Sequence, residues 1–264
     1  MTDSKTPKDA IWPLQQMLDE SERSLDTTWA GVIGMERLLN DMDRGVRPGL
    51  LANLAGDHYW RELMTNEIRH EAPTLMRQFL ITHWCLLEDC VKSCAAHWFE
   101  SDYPTLKPTN IPTSIQRRFD KGQYASAQDR RRGFIDSIDK AKNGYAIKQC
   151  PRNFDKFFAC FNVNVHLPQT LKEVLAEYGN TRNVIMHCNS VVDEDYVRHV
   201  LNTKYRVGDR IICNFSMAKR FITATLAYLN LICVEVRIRF GDDMFLERRQ
   251  QIERWHQKYP SLLH

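Results

Sequence analysis

Strand-like alternation of apolar and polar residues is scarce in this sequence, and so are the residues that punctuate short strands. Glycine and proline number only 11 and 10 in 264 residues and gather at a few breaks. That favours long helices over an all-β sandwich or barrel. No internal repeat and no low-complexity tract is visible, which sets aside solenoids and fibrous arrays. The amino-terminal MTDSKTPKDAIW lacks the apolar centre of a secretory signal, so a cytoplasmic setting is expected. The longest near-apolar run, Phe221 to Val234, is short for a bilayer span and is followed at once by Glu235. It reads as a buried bundle helix, with no membrane partner expected. The eight cysteines fall largely in apolar helical runs, where Cys behaves as a small hydrophobe. Without an export signal they are expected as reduced thiols.

Charge of one sign is also lacking. The net charge is +3, too small to mark a nucleic-acid partner by itself. Its distribution says more. Residues 1–60 carry ten acidic and six basic side chains, whereas residues 117–148 carry nine basic and four acidic. A local basic surface is therefore expected rather than a uniformly basic protein.

What is present is helical periodicity. Residues 11–44 carry Trp29, Val32, Ile33, Met35 and Leu38-Leu39 near a 3.6-residue period. A second helix is predicted over about 57–70. Pro73 opens a third, running to about Glu100, with Met76, Leu80, Trp84, Leu87, Val91, Cys94 and Trp98 on its buried face. Three prolines in SDYPTLKPTNIPTS make a loop, and one or two basic helices follow over 114–148. A short helix is expected near 153–161. Pro168 starts another, which Gly179-Asn180 would end before RNVIMHCN forms a separate short segment. Tyr205 to Phe215 is the one candidate hairpin, around Gly208-Asp209. Helices over about 214–240 and 243–258 complete an all-α fold. Residues 1–56 are expected as a helical extension and 57–264 as the bundle.

RNVIMH, Arg182 to His187, concentrates chemistry in one short segment. Arginine, then four to six residues, then histidine is a weak pattern alone; Arg77 and His83, with five residues between, already make a decoy on a core helix. The context at 182–187 is better. Asn183 and His187 are i and i+4 and share one helix face, and the long Arg182 stem can swing round to it. The three offer an acid/base, an amide and a fixed cation. RNA cleavage by transesterification needs a base for the ribose 2′-OH, an acid for the leaving 5′-oxygen, and cations for the growing phosphorane charge. Histidine can move both protons without a metal. One imidazole does not easily serve both sides of an in-line displacement, so two copies about a two-fold axis are expected.

At these residues the sequence resembles the HEPN superfamily, whose hallmark is Arg, a polar residue, three to five further residues, then His, within an all-α bundle. LPQTLKEVLAEYGNT, before the motif, looks like the helix that leads into it, and CNSVVDEDYV looks like the acidic exit. FLITHWCLLEDCVKS and YRVGDRIICNFSMAKRF are similar to segments of the RiboL-PSP type. The similarity covers about residues 57–240, with RNVIMH its specific part. It implies a HEPN-type bundle with an additional amino-terminal helical segment. It further implies a metal-independent endoribonuclease needing no cofactor, acting as a homodimer in toxin or antiviral-defence settings, with an antitoxin or defence-complex partner in view. Arg182 and His187 would be catalytic, Asn183 would orient His187 or the phosphate, and Glu88 on an earlier helix would support them. Toxins of this superfamily that are silenced by AMP transfer carry Tyr two residues after the His; Asn189 stands there in this chain, so that control is not expected.

Other readings stand beside this one. Arg117, Arg118, Lys121, Arg130, Arg131 and Arg132, interleaved with Phe119, Tyr124 and Phe134, suit single-stranded RNA through phosphate contacts and base stacking. They equally make a solvated helix face. Cys90, Cys94 and His97 share a helix face, but core packing is expected there rather than zinc. For the whole chain, the alternative is a non-catalytic helical module that binds RNA, a nucleotide or a partner protein. It would act as a sensor or regulatory subunit, with residues 1–56 as its partner-binding part.

Overall fold

The computed structural model of the chain describes residues 72–101, 104–109, 111, 113–120, 124–139, 154–165, 167–201 and 203–241, preceded by 11–17 and scattered positions from 19 to 70. The helix expected over 243–258 lies outside them, as does most of the one over 57–70. Among the described residues from 72 onward, seven α-helices follow in order: α1 (Pro73–Glu100), α2 (Thr113–Asp120), α3 (Ala127–Asp139), α4 (Phe154–Ala159), α5 (Gln169–His187), α6 (Glu194–His199) and α7 (Phe215–Arg239), with a 3-10 turn at Pro104–Leu106. Among the described residues the only β-type pairing is an isolated antiparallel bridge between Val191 and Arg210. The fold is all-α.

Helix α1 is the hub. It packs on α3, α4, α5 and α7. Pro73 stands at its start, where a missing N–H costs nothing. All seven residues of the predicted stripe, Met76 to Trp98, are buried. Helix α5 crosses α1 and α7, and α6 packs on α5.

The crossing of α1 and α5 corrects the sequence reading of Gly179-Asn180. These residues do not end a helix; α5 runs unbroken through them to His187. A Cβ at position 179 would sit 2.9 Å from Trp84 Cη2. Glycine is there so that the two helices can approach, a gain that offsets its roughly 1 kcal/mol propensity cost inside a helix. Trp84 cannot easily yield: its Nε1 donates to Glu88 Oε1 at 2.8 Å, and Tyr178 meets its ring edge-on at 4.9 Å.

The decoy His83 is a core histidine. Tyr178 Oη donates to the Leu80 carbonyl oxygen at 2.9 Å, which uses its one proton. His83 Nδ1, 2.9 Å from that hydroxyl, must therefore be the donor to it. Burial lowers the pKa of His83 to about 4.

Residues 11–17 are part of this bundle. Ile11, Leu14 and Met17 are buried in the same core cluster as α1, and the Cys90 thiol donates to the Pro13 carbonyl at 3.4 Å. Cys90 and Cys94 are buried in the core, whereas His97, on the same helix, is exposed. Helix α7 is long and apolar enough to cross a membrane, with mean hydropathy 1.6 over its best window, yet 61% of that window is buried within the fold.

Candidate functional site

Helix α5 presents Asn180, Asn183, Val184 and His187 along one stripe, and this stripe is one wall of a cleft of about 190 Å³. The opposite wall is Cys188, Asp193, Asp195, Tyr196 and His199. The chain turns from one wall to the other in a few residues. Cys188 and Ser190 both donate backbone N–H groups to the Val184 carbonyl at 3.0 Å. Asn189 and Ser190 adopt left-handed φ angles of 49° and 64°, which reverses the chain. Asp193 then caps α6, accepting from the Tyr196 N–H at 2.8 Å.

The turn expected around Gly208-Asp209 braces this reversal. Gly208 has φ +94°. Its arm does not close a hairpin on itself: Ile211 N–H donates to Ser190 O at 2.8 Å, and Val192 N–H donates to Asp209 O at 2.8 Å. Tyr196, buried under the cleft, lies 3.3 Å from the Thr181 hydroxyl and ties α6 to α5. Its pKa is pushed up to about 12, chiefly by burial, so it stays a neutral phenol.

Asn183 and His187 thus open together on the cleft, His187 exposed and Asn183 half-buried. Arg182 sits beside them rather than in the lining. Its Nη1 donates to Asn183 Oδ1 at a long 3.4 Å, and its Nε is buried without a partner. Glu88 is not brought to the cleft; it is half-buried on α1, holding the Trp84 indole. The cleft is smaller than the roughly 300–1,000 Å³ of pockets for whole small ligands.

The basic region lies on other elements. Arg117 is exposed on α2, and Arg130, Arg131 and Arg132 are exposed on α3, which packs on α1, α2 and α4. Lys121 and the side chain of Arg118 lie outside the described residues. Of the interleaved rings, Phe119 and Tyr124 are half-buried and stack on each other at 5.2 Å. Phe134 is buried, and Phe99 stacks on it at 4.1 Å and on Phe119 edge-on at 5.5 Å. Arg130 lies 5.6 Å over both Phe99 and Phe119, and Arg131 pairs with Glu100. Among the described residues no three His, Cys, Asp or Glu side chains are grouped to hold a metal ion.

Sequence reasoning missed Asn180 and His199. Asn180 sits three residues before Asn183, so its place on the same face follows from helix spacing once α5 is unbroken. His199 has no such local signal.

No protein-family model, curated protein or solved structure matches the chain.

Proposed function

We propose that this all-α protein is a HEPN-like, metal-independent endoribonuclease that cleaves RNA through the ribose 2′-OH. The observation that carries the reading is the meeting of Asn183 and His187 in one cleft of about 190 Å³, with Arg182 held against Asn183. His187 exchanges protons with the reacting oxygens, Asn183 orients the ring or a phosphate oxygen, and Arg182 meets the transition-state charge. The exposed arginines of α2 and α3 would hold flanking phosphates.

The working form is a homodimer. Apart from Trp12, every large apolar side chain that is exposed among the described residues lies between 186 and 212: Met186, Val191, Val197, Leu201, Val207 and Ile212. These exposed apolar side chains, in the same stretch of chain as most of the cleft's residues, suit a second copy docking there. A toxin or antiviral-defence role in the cytoplasm, with an antitoxin or complex partner, rests on the motif resemblance.

One observation favours the second reading, a non-catalytic module. Asp193 and Asp195 line the cleft and Arg182 does not, so within one chain the field there opposes a phosphate. That module would bind a partner protein or a nucleotide base as a regulatory subunit.

The deciding experiment incubates purified protein with total RNA and tRNA in EDTA, beside His187→Ala. Cleavage by the wild type, with 2′,3′-cyclic phosphate ends and a loss of about 100-fold or more in the variant, is the expected result. Equal cleavage by both proteins would refute the mechanism. RNA left intact by both would favour the regulatory module.

A further inference from the structure

Two imidazoles open on the cleft. His187 comes from the last turn of α5 and His199 from the last turn of α6, and both line the same 190 Å³. The His199 ring is oriented. Its Nδ1 lies 2.8 Å from the backbone carbonyl oxygen of Asp195. A carbonyl oxygen only accepts, so Nδ1 carries the proton. In the neutral ring Nε2 is then the nitrogen with the lone pair, the form a general base requires. The ring is exposed and can be reached by substrate. The other titratable residues lining the cleft are His187, Cys188, Asp193, Asp195 and Tyr196. The Asp195 carboxylate pairs with Arg198 on the exposed side of α6.

We propose that His199 is the general base of RNA cleavage and His187 the general acid, so that a single chain carries both proton-transfer groups. This rests on the ribonuclease reading above. In the step, His199 Nε2 takes the proton of the ribose 2′-OH as O2′ bonds to phosphorus. The P–O5′ bond breaks, and the His187 imidazolium gives its proton to O5′. The products are a 2′,3′-cyclic phosphate and a 5′-hydroxyl. No proton is gained or lost overall, and the two rings exchange protonation states, which solvent then resets. A second copy is needed for its cations, not for a second imidazole.

The test uses two substrates: an RNA cut by the wild type, and the same RNA with a 5′-bridging sulfur at the mapped scissile phosphate. A thiolate leaves without a proton, so it bypasses a missing acid but not a missing base. His199→Asn keeps a donor at the place of Nδ1 and has no titratable group at the place of Nε2, so a merely structural role would survive it. His199→Asn should lose about 100-fold or more in kcat/KM on both substrates, together with the acidic limb of the pH profile. His187→Ala should lose as much on the ordinary RNA and recover to within about tenfold on the sulfur substrate. A His199→Asn protein that cleaves either substrate at the wild-type rate, or that the sulfur substrate rescues, overturns the assignment while leaving the ribonuclease reading intact. A wild type that cleaves no RNA removes both.

Discussion

At the scale of single residues, the site divides into what local spacing encodes and what it does not. The shared face of Asn183 and His187 was legible because one helical segment holds both, whereas Arg182, which spacing allows onto that face, sits beside the cleft. His199 was not legible, because it reaches the cleft through a left-handed reversal at Asn189 and Ser190, and no short-range period carries across that. Glu88 was misplaced for a related reason: its face on α1 is set by the Trp84 indole that it accepts from, a contact that helical spacing permits but that points it away from α5's cleft. His83 supplies a test at this scale. Its pKa is near 4 in the folded protein and about 6.5 in an unfolded chain. The folded state therefore refuses a proton that the unfolded state accepts. The stabilisation is complete above about pH 6.5 and is lost as pH falls toward 4, by a total on the order of 3 kcal/mol. Urea unfolding from pH 7.5 to 4 should show this slope in the wild type, and His83→Asn should flatten it. Equal slopes in the two proteins would show that His83 does not govern acid stability.

At the scale of elements, periodicity served well wherever one face is buried. The α1 stripe and the start of α5 after Pro168 were both readable. Gly179 was not, because glycine both stops helices and lets them touch, and only the Trp84 contact distinguishes the two. Helix α6 has six residues, too few to persist on propensity alone, and it depends on its Asp193 cap. Here two effects can be separated. Asp193→Asn keeps the cap and removes a negative charge from the cleft. Asp193→Ala loses the cap, costing about 1 kcal/mol, and frees the end that positions His199. Asparagine should lower KM for RNA with little change in melting temperature, whereas alanine should lower both stability and kcat. Identical behaviour of the two variants would rule out the cap as the reason for an acidic residue there.

At the scale of the whole molecule, the all-α class was readable from scarce glycine, proline and alternation. The role of the amino terminus was not. Burial of Ile11, Leu14 and Met17 depends on a distant partner, α1, which no local pattern names. Residues 11–17 pack in the core of the bundle, so Leu14→Ala should cost about 2–5 kcal/mol in chemical denaturation. A cost under 1 kcal/mol would return that segment to the surface. The exposed apolar side chains between 186 and 212 set the assembly prediction. Leu201→Glu with Ile212→Glu should shift a dimer to monomer in sedimentation and reduce RNA cleavage while leaving the monomer folded. A dimer that persists through both changes places its interface elsewhere.

The cysteines also make the molecule its own chemical probe. Among the described residues Cys85 is exposed and Cys188 half-buried, while Cys90, Cys94, Cys160, Cys213 and Cys233 are buried. Alkylation of the buried five would clock how often each part of the bundle opens, helix by helix. Cys188 reports something else. Its thiol lies in the cleft and donates to Asp193 Oδ2 at 3.4 Å, and its pKa is raised by desolvation first and by that carboxylate next. It should react slowly at neutral pH, and any molecule seated in the cleft should slow it further. Occupancy can thus be followed by mass spectrometry without turnover.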